Sequence, residues 1–317
     1  MQVVALAGGV GAGKFLRGLV RVVDPEDLTV IVNTGDDLVV HGLHVSPDLD
    51  SVTYWLAGLM DRDRGWGRAG ETFRATEVLR DLGAEGAWFG LGDLDLATHL
   101  YRTPRLAAGG TLTEVTAELA ARYGVAARIL PMSDDPVITR VDAVGHNGEM
   151  LDLHFQEYWV LRGAEDQVKG IWFDGAERAR PAPGVRDAVE RADAIVICPS
   201  NPVASVDPIL AVSEIREALS GRREVAAGVS PIVGGAPLRG MADSLLPAIG
   251  VEVSAAGVAA HYGRDLIAGW VIDQVDAAEQ SRIEGGGIRV AVTDTIMVDD
   301  AAAERVARTA LDLVAPR

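Results

Sequence analysis

The sequence predicts an α/β fold on a mostly parallel sheet, with a helical cap insertion and a β-hairpin insertion. Three observations predict it. Short apolar runs of strand type alternate with segments of helical spacing along the 317 residues, the rhythm of strand–helix–strand units. The first run is followed at once by a cluster of glycines, as at a strand-to-helix turn. The polar, Asp-rich loops come after strands, so they gather on one edge of the sheet.

Residues 3–7 and 28–32 read as buried parallel strands, apolar on both faces. Between them Phe15, Leu16, Leu19 and Val22 mark a helix over 14–23. Further strands are expected at 87–91, 127–130, 194–198, 224–229, 270–273 and 289–293. Helices fit 111–123, 184–192, 206–220, 240–249, 256–261 and 300–314. Two regions break the alternation. Residues 50–85 read as helical, with an Arg/Trp/Gly-rich bend at 61–70, and form a cap. Residues 137–155 alternate as strands around Gly145-His146-Asn147-Gly148, whose Asn-Gly is a hairpin turn. With no internal repeat and no linker tract, 1–317 is read as a single α/β domain carrying these two insertions.

Composition narrows the function classes. Hydrophobic residues make up 48% of the chain, enough for a substantial core. No apolar run approaches the ~20 residues of a membrane-spanning helix. The first apolar stretch has no basic region before it and reads as a strand, not a signal peptide. Net charge is −17, which argues against a nucleic-acid partner, since such binding needs a basic face. Of 29 basic residues only Lys14 and Lys169 are lysines. The single cysteine, Cys198, permits no intrachain disulfide, and a cytoplasmic location is expected.

The candidate chemistry begins at Gly8-Gly9-Val10-Gly11-Ala12-Gly13-Lys14. The spacing fits the phosphate-loop pattern, except that Phe15 stands where a metal-holding Ser or Thr belongs. Glycines let main-chain N–H groups turn toward an anion, and the following helix offers its positive end. Asn33-Thr34-Gly35-Asp36-Asp37 follows the second strand. Adjacent carboxylates beside a phosphate cradle suit a Mg²⁺ that bridges phosphate oxygens; helix capping is the structural alternative. Ser46-Pro47-Asp48-Leu49-Asp50 offers Asp50 as a helix cap, a metal ligand or an acceptor from a substrate hydroxyl. Leu91-Gly92-Asp93, Pro131-Met132-Ser133-Asp134, Cys198-Pro199-Ser200-Asn201-Pro202, Ser230-Pro231-Ile232-Val233-Gly234-Gly235 and Thr293-Asp294-Thr295 end later strands. Ser200 and Asn201 carry donors and acceptors able to read a base or sugar. Glycine N–H groups, Lys14 and clustered Asp suit phosphoryl or nucleotidyl transfer.

Taken in order, these segments resemble the 2-phospho-L-lactate transferase family of coenzyme F(420) biosynthesis, from residue 1 to about 298. The resemblance implies a Rossmann-like core, a homodimer and Mg²⁺. It implies an enzyme that takes a guanosine diphosphate ester of phospholactate or enolpyruvate. The phospho-lactyl or phospho-enolpyruvyl group would pass to the ribityl hydroxyl of the deazaflavin FO, releasing GMP. On the matching positions, Gly9, Gly11, Gly13 and Lys14 would hold the diphosphate, although Gly13-Lys14 varies within the family. Asp36, Asp37 and Asp50 would hold Mg²⁺, with Asp36 and Asp50 catalytic and Asp50 near the FO hydroxyl. Asn33, Asp93, Ser200 and Asn201 would contact substrate, Ser200 and Asn201 on the guanosine side. Trp55 and Trp66 either cover the flat ring or pack the cap. Two other classes fit parts of the chain. A sugar-nucleotide-binding regulator of the same superfamily shares the glycine and Asn-Thr-Gly-Asp-Asp segments. A phosphate-loop kinase or ATPase shares the glycine spacing, with Phe15 against it.

Overall fold

The computed structural model describes residues 1–314. It opens with β1 (Val3–Ala7), α1 (Gly9–Leu19) and β2 (Leu28–Val32). A small hairpin of β3 (Leu38–Val40) and β4 (Leu43–Val45) leads to α2 (Pro47–Ala57), α3 (Arg74–Asp81), α4 (Asp93–Ala107) and α5 (Leu112–Arg122). β5 (Arg128–Pro131) follows, then β6 (Ile138–Val144), β7 (Met150–His154) and β8 (Gln167–Asp174), which form a separate antiparallel sheet. Alternation then resumes with α6 (Val185–Arg191), β9 (Ala194–Ile197), α7 (Asp207–Ala211), α8 (Ser213–Gly221) and β10 (Ala226–Val229). A two-residue ladder of β11 (Ile232–Val233) and β12 (Ala236–Pro237) precedes α9 (Ala242–Leu245) and α10 (Ala255–Tyr262). β13 (Gly269–Asp273), α11 (Gln280–Gly285), β14 (Arg289–Thr293) and α12 (Asp300–Val314) complete the chain described.

The main sheet is parallel throughout, in the order β14-β13-β10-β9-β1-β2-β5. The chain starts in its middle and winds outward through β2 and β5. It then crosses to the other side of β1 and winds outward again from β9. The winding reverses between β1 and β9, and a doubly wound sheet opens its ligand crevice beyond the carboxyl ends at that point. Side chains of β1 are buried on both faces. Val4 and Leu6 join one hydrophobic layer, while Val3, Ala5 and Ala7 join the other with Phe15 of α1 and Val306 of α12. Helices α1 and α12 meet at Gly18, where a Cβ would stand 2.1 Å from the Ala303 carbonyl carbon.

Several expected elements differ. Residues 87–91 are not a strand: Glu85–Trp88 is a 3-10 turn, and buried Leu91 packs on Val40 and Val45. A short apolar run between glycines satisfies either conformation. Helix α1 starts at Gly9, five residues earlier than expected. The cap is wider than 50–85, because helices occupy most of the chain from α2 to α5. The insertion at 137–155 is two strands of a three-stranded sheet that β8 completes. The helix expected over 206–220 breaks at Val212, whose backbone is extended.

Candidate active site

A cleft of about 920 Å³ opens where the winding reverses. The turn after β1 forms one wall and the loop after β9 the other. Gly11 makes their approach possible, since a Cβ on it would lie 2.1 Å from the Pro199 carbonyl oxygen. The Gly8 N–H reaches Ser200 Oγ at 3.3 Å. Gly9 has φ +70°, a left-handed conformation that favours glycine. Gly13 serves differently: a Cβ there would meet the Trp55 ring at 2.0 Å. Gly13 is therefore a packing glycine between α1 and α2, and Trp55 is a buried packing residue, whereas Trp66 lines the cleft. Phe15 is fully buried in the sheet-facing layer. The helix beginning at Gly9 leaves no free phosphate loop, and position 15 faces the core, so the kinase-like reading loses its geometry.

Asp36, from the turn after β2, and Asp48, from the first turn of α2, enter the cleft together. The Gly9 N–H donates to Asp48 Oδ1 at 2.7 Å. Asn33 Nδ2 donates to Asp36 Oδ1 at 2.5 Å and to Asp48 Oδ2 at 3.0 Å. Gln156 Nε2 donates to Asp36 Oδ2 at 2.9 Å. Burial pushes Asp36 well above the usual carboxylate range, and the neighbouring charges of Asp48 and Asp37 add to it. Burial also raises Asp48, to about 6, against the hydrogen bonds from Asn33 and Gly9. Two buried carboxylates that resist ionising side by side fit a hard divalent cation, which oxygen ligands bind and whose charge relieves their repulsion.

The other expected site residues are placed differently. Asp37 lies off the cleft, its Oδ2 accepting from Ser46 Oγ (2.7 Å) and facing His44 Nε2 (3.1 Å). Asp50 lines the cleft, but both its oxygens accept from the buried Arg102 guanidinium, one at 3.0 Å. Asn33 is buried beneath the carboxylates and orients them. Asp93 is outside the cleft and caps α3 through the Arg74 and Ala75 N–H groups, at 3.2 and 3.1 Å. Ser200 and Asn201 line the cleft, with Asn201 Oδ1 accepting from the Val203 and Ala204 N–H groups. Lys14 lines the cleft too, its ammonium lowered by partial burial and then by the Arg239 charge.

A second network joins α2 to α4. Tyr54 donates to Asp95 Oδ1 at 2.6 Å and lies 2.7 Å from Thr98 Oγ1. The His99 ring sits between Asp50 (3.7 Å) and Asp95 (3.6 Å). Burial works to raise Asp95, but His99, Tyr54 and Arg102 outweigh it and hold the group below the ordinary range. Asp50, Asp95 and His99 place ligand atoms within 4.8 Å of one another. The Arg102 guanidinium, however, already supplies the positive charge that a metal would bring to Asp50. Asp48, Arg102 and Gln156 are the residues that sequence reasoning missed. Asp95, His99 and Arg102 recur at helical spacing, a signal usable once 93–107 is recognised as a helix.

The fold and this cleft define a doubly wound α/β protein with a pair of buried carboxylates at its switch point. Comparison with known proteins sharpens the class. The profile of the CofD family, 2-phospho-L-lactate transferase, matches residues 3–310. The chain is 50% identical over 313 residues to a phosphoenolpyruvate transferase of Streptomyces griseus, covering 99% of this chain and 98% of the relative. It is 48% identical over 314 residues to the phosphoenolpyruvate transferase of Kitasatospora aureofaciens, with the same coverage of each. A UPF0052-family protein of Bacillus halodurans shares the fold at a TM-score of 0.61 and 17% identity, over 98% of this chain and 100% of that one. The chain belongs to the CofD 2-phospho-L-lactate transferase family and is a transferase of the phospholactate/phosphoenolpyruvate type. Among the described residues no helix is long and apolar enough to cross a membrane.

Proposed function

We propose that this transferase takes a guanosine diphosphate ester of enolpyruvate or lactate and passes its phospho-enolpyruvyl or phospho-lactyl group to the ribityl hydroxyl of FO, releasing GMP. The carrying observation is the Asp36–Asp48 pair, buried in the cleft at the first N–H of α1. Relatives named phosphoenolpyruvate transferase at 48–50% identity support enolpyruvate as the donor acid. Mg²⁺ held by Asp36 and Asp48 would neutralise diphosphate charge and acidify the acceptor alcohol. The first-turn N–H groups of α1 beyond Gly9, which is bonded to Asp48, would face the diphosphate, and Ser200 and Asn201 would face the guanosine. Asp50, fixed by Arg102, orients the acceptor hydroxyl. Trp66, Trp88 and Phe89 line the cleft's apolar side and suit a flat ring. Transfer then rests on positioning and charge neutralisation.

The test mixes the protein with FO, Mg²⁺ and each donor ester, and separates fluorescent products by chromatography. A more polar deazaflavin with GMP in equal amount is expected. Absence of that product with both donors overturns the proposal.

A further inference from the structure

Two cations on the cleft wall take no part in the transfer just described, although the family resemblance would give one of them, Lys14, to the diphosphate. Lys14 projects from the second turn of α1, and Arg239 comes from the loop after β12; both line the cleft. Among the described residues neither has a carboxylate within 4.0 Å. Their charges repel, since Arg239 contributes to lowering the Lys14 ammonium after burial has done so. In a chain of net charge −17, carboxylates are abundant, and two facing cations without one need a different counter-charge.

Arg239 is also held in place. Its Nη1 donates to the Arg64 carbonyl at 2.9 Å and its Nη2 to the Asp63 carbonyl at 3.1 Å. The contact depends on Gly65, where φ is +80° and a Cβ would lie 2.5 Å from Arg239 Nη1. The 61–70 bend thus fixes a guanidinium at the cleft without neutralising it. A planar fork of N–H donors matches a carboxylate geometrically, and a neighbouring ammonium adds charge. Lys14 and Arg239 line the same cleft as Asp36 and Asp48 without contacting either carboxylate, so they are free to meet a group carried next to the diphosphate.

We propose that Arg239, with Lys14, forms a subsite that reads the carboxylate of the donor's three-carbon acid, making Arg239 a specificity-determining residue. This rests on the donor chemistry proposed above. In that donor the carboxylate is the one anionic group outside the diphosphate. It is the feature that separates the transferred group from a simple alkyl phosphate.

The experiment crosses a change in the protein with a change in the ligand. Donor ester with a free carboxylate and donor with that carboxylate masked as a methyl ester are compared on the wild type, Arg239→Gln and Arg239→Lys, with Mg²⁺ and FO present. Wild type should prefer the free acid by roughly 10- to 100-fold in kcat/KM, the worth of a charge-assisted pair. In Arg239→Gln the preference should fall to a few-fold, through donor KM, while FO KM holds. Arg239→Lys should keep an intermediate preference. A residue that merely ties the bend down through the Arg64 and Asp63 carbonyls would lose equally on both donors. An unchanged free-acid preference in Arg239→Gln overturns the subsite. Absence of turnover by wild type on the free-acid donor overturns the proposed function itself, and the subsite with it.

Discussion

Replacing Asp48 by Asn should stabilise the metal-free protein while abolishing turnover. A buried carboxyl raised from 3.8 to about 6 carries a cost of about 3 kcal/mol in its charged form, at 1.36 kcal/mol per pKa unit. The sign follows from proton linkage. Because the folded pKa is the higher one, the stabilisation is complete below about 4 and is lost as pH rises through about 6. Asparagine keeps an oxygen for the Gly9 N–H and removes the charge, but it turns its own amide N–H toward Asn33 Nδ2 and gives up that one hydrogen bond. At pH 8 in EDTA the variant should therefore melt above wild type by about 2–5 °C, for a chain of this size. At pH 4.5 the difference should nearly vanish. Added Mg²⁺ should raise the wild-type melting temperature at pH 8 and leave the variant almost unmoved, because only the wild type binds the ion in the folded state alone. Differential scanning calorimetry across pH 4.5–8, with and without Mg²⁺, reads all of this. A variant that melts below wild type at pH 8 in EDTA refutes the burial argument. A variant that keeps the full Mg²⁺ response refutes Asp48 as a ligand.

Other substitutions separate the cleft from its supports. Arg102→Met leaves Asp50 charged and unpaired in the interior and should cost about 3–5 kcal/mol in urea unfolding, part of which Asp50→Asn in the same chain restores. Gly13→Ala drives a methyl into the Trp55 ring and should cost about 1–3 kcal/mol, relieved by Trp55→Leu. Asp93→Ala removes the cap on α3, so a slightly lower melting temperature is expected, with donor and acceptor KM within about twofold of wild type.

The core of the fold was legible because its strands are apolar on both faces. Val3–Ala7 and Leu28–Val32 admit few other conformations, and the sheet places the turn after each on one edge. The cleft followed from that placement, so Gly9, Gly11, Ser200, Asn201 and Asp36 were expected on the edge where they lie, whereas Gly13 packs on Trp55. What stayed hidden depends on which way neighbouring side chains turn. Asp36 and Asp37 are adjacent, yet one faces the cleft and the other His44. Asp48 and Asp50 are two apart at the start of α2, where the helical twist sends Asp48 toward Gly9 and Asp50 toward α4. No local pattern distinguishes them, because the deciding partners, Gln156 for Asp36 and Arg102 for Asp50, come from distant segments. Reading 87–91 as a strand left Asp93–Ala107 without an assigned helix, and the Asp95, His99 and Arg102 row went unnoticed.

Phe15 is explained by the same geometry. In a phosphate loop the hydroxyl after the lysine reaches a metal because the glycines stand free of the helix. Here the helix begins at Gly9, which rotates position 15 onto the sheet, where a hydroxyl would be buried. The first N–H of α1 is also committed, to Asp48. The positive end of the helix therefore stabilises a carboxylate, and that carboxylate holds the place from which an ion would meet the phosphate. In a molecule of net charge −17 this arrangement is self-consistent only if cations gather at the cleft when the anionic donor enters. On the proposed function, Mg²⁺ at Asp36 and Asp48 would supply one such centre and Lys14 with Arg239 the other. The donor's diphosphate and its carboxylate would then be addressed by separate positive centres. Removing either centre should weaken donor binding, but only loss of the acidic pair should remove its Mg²⁺ dependence.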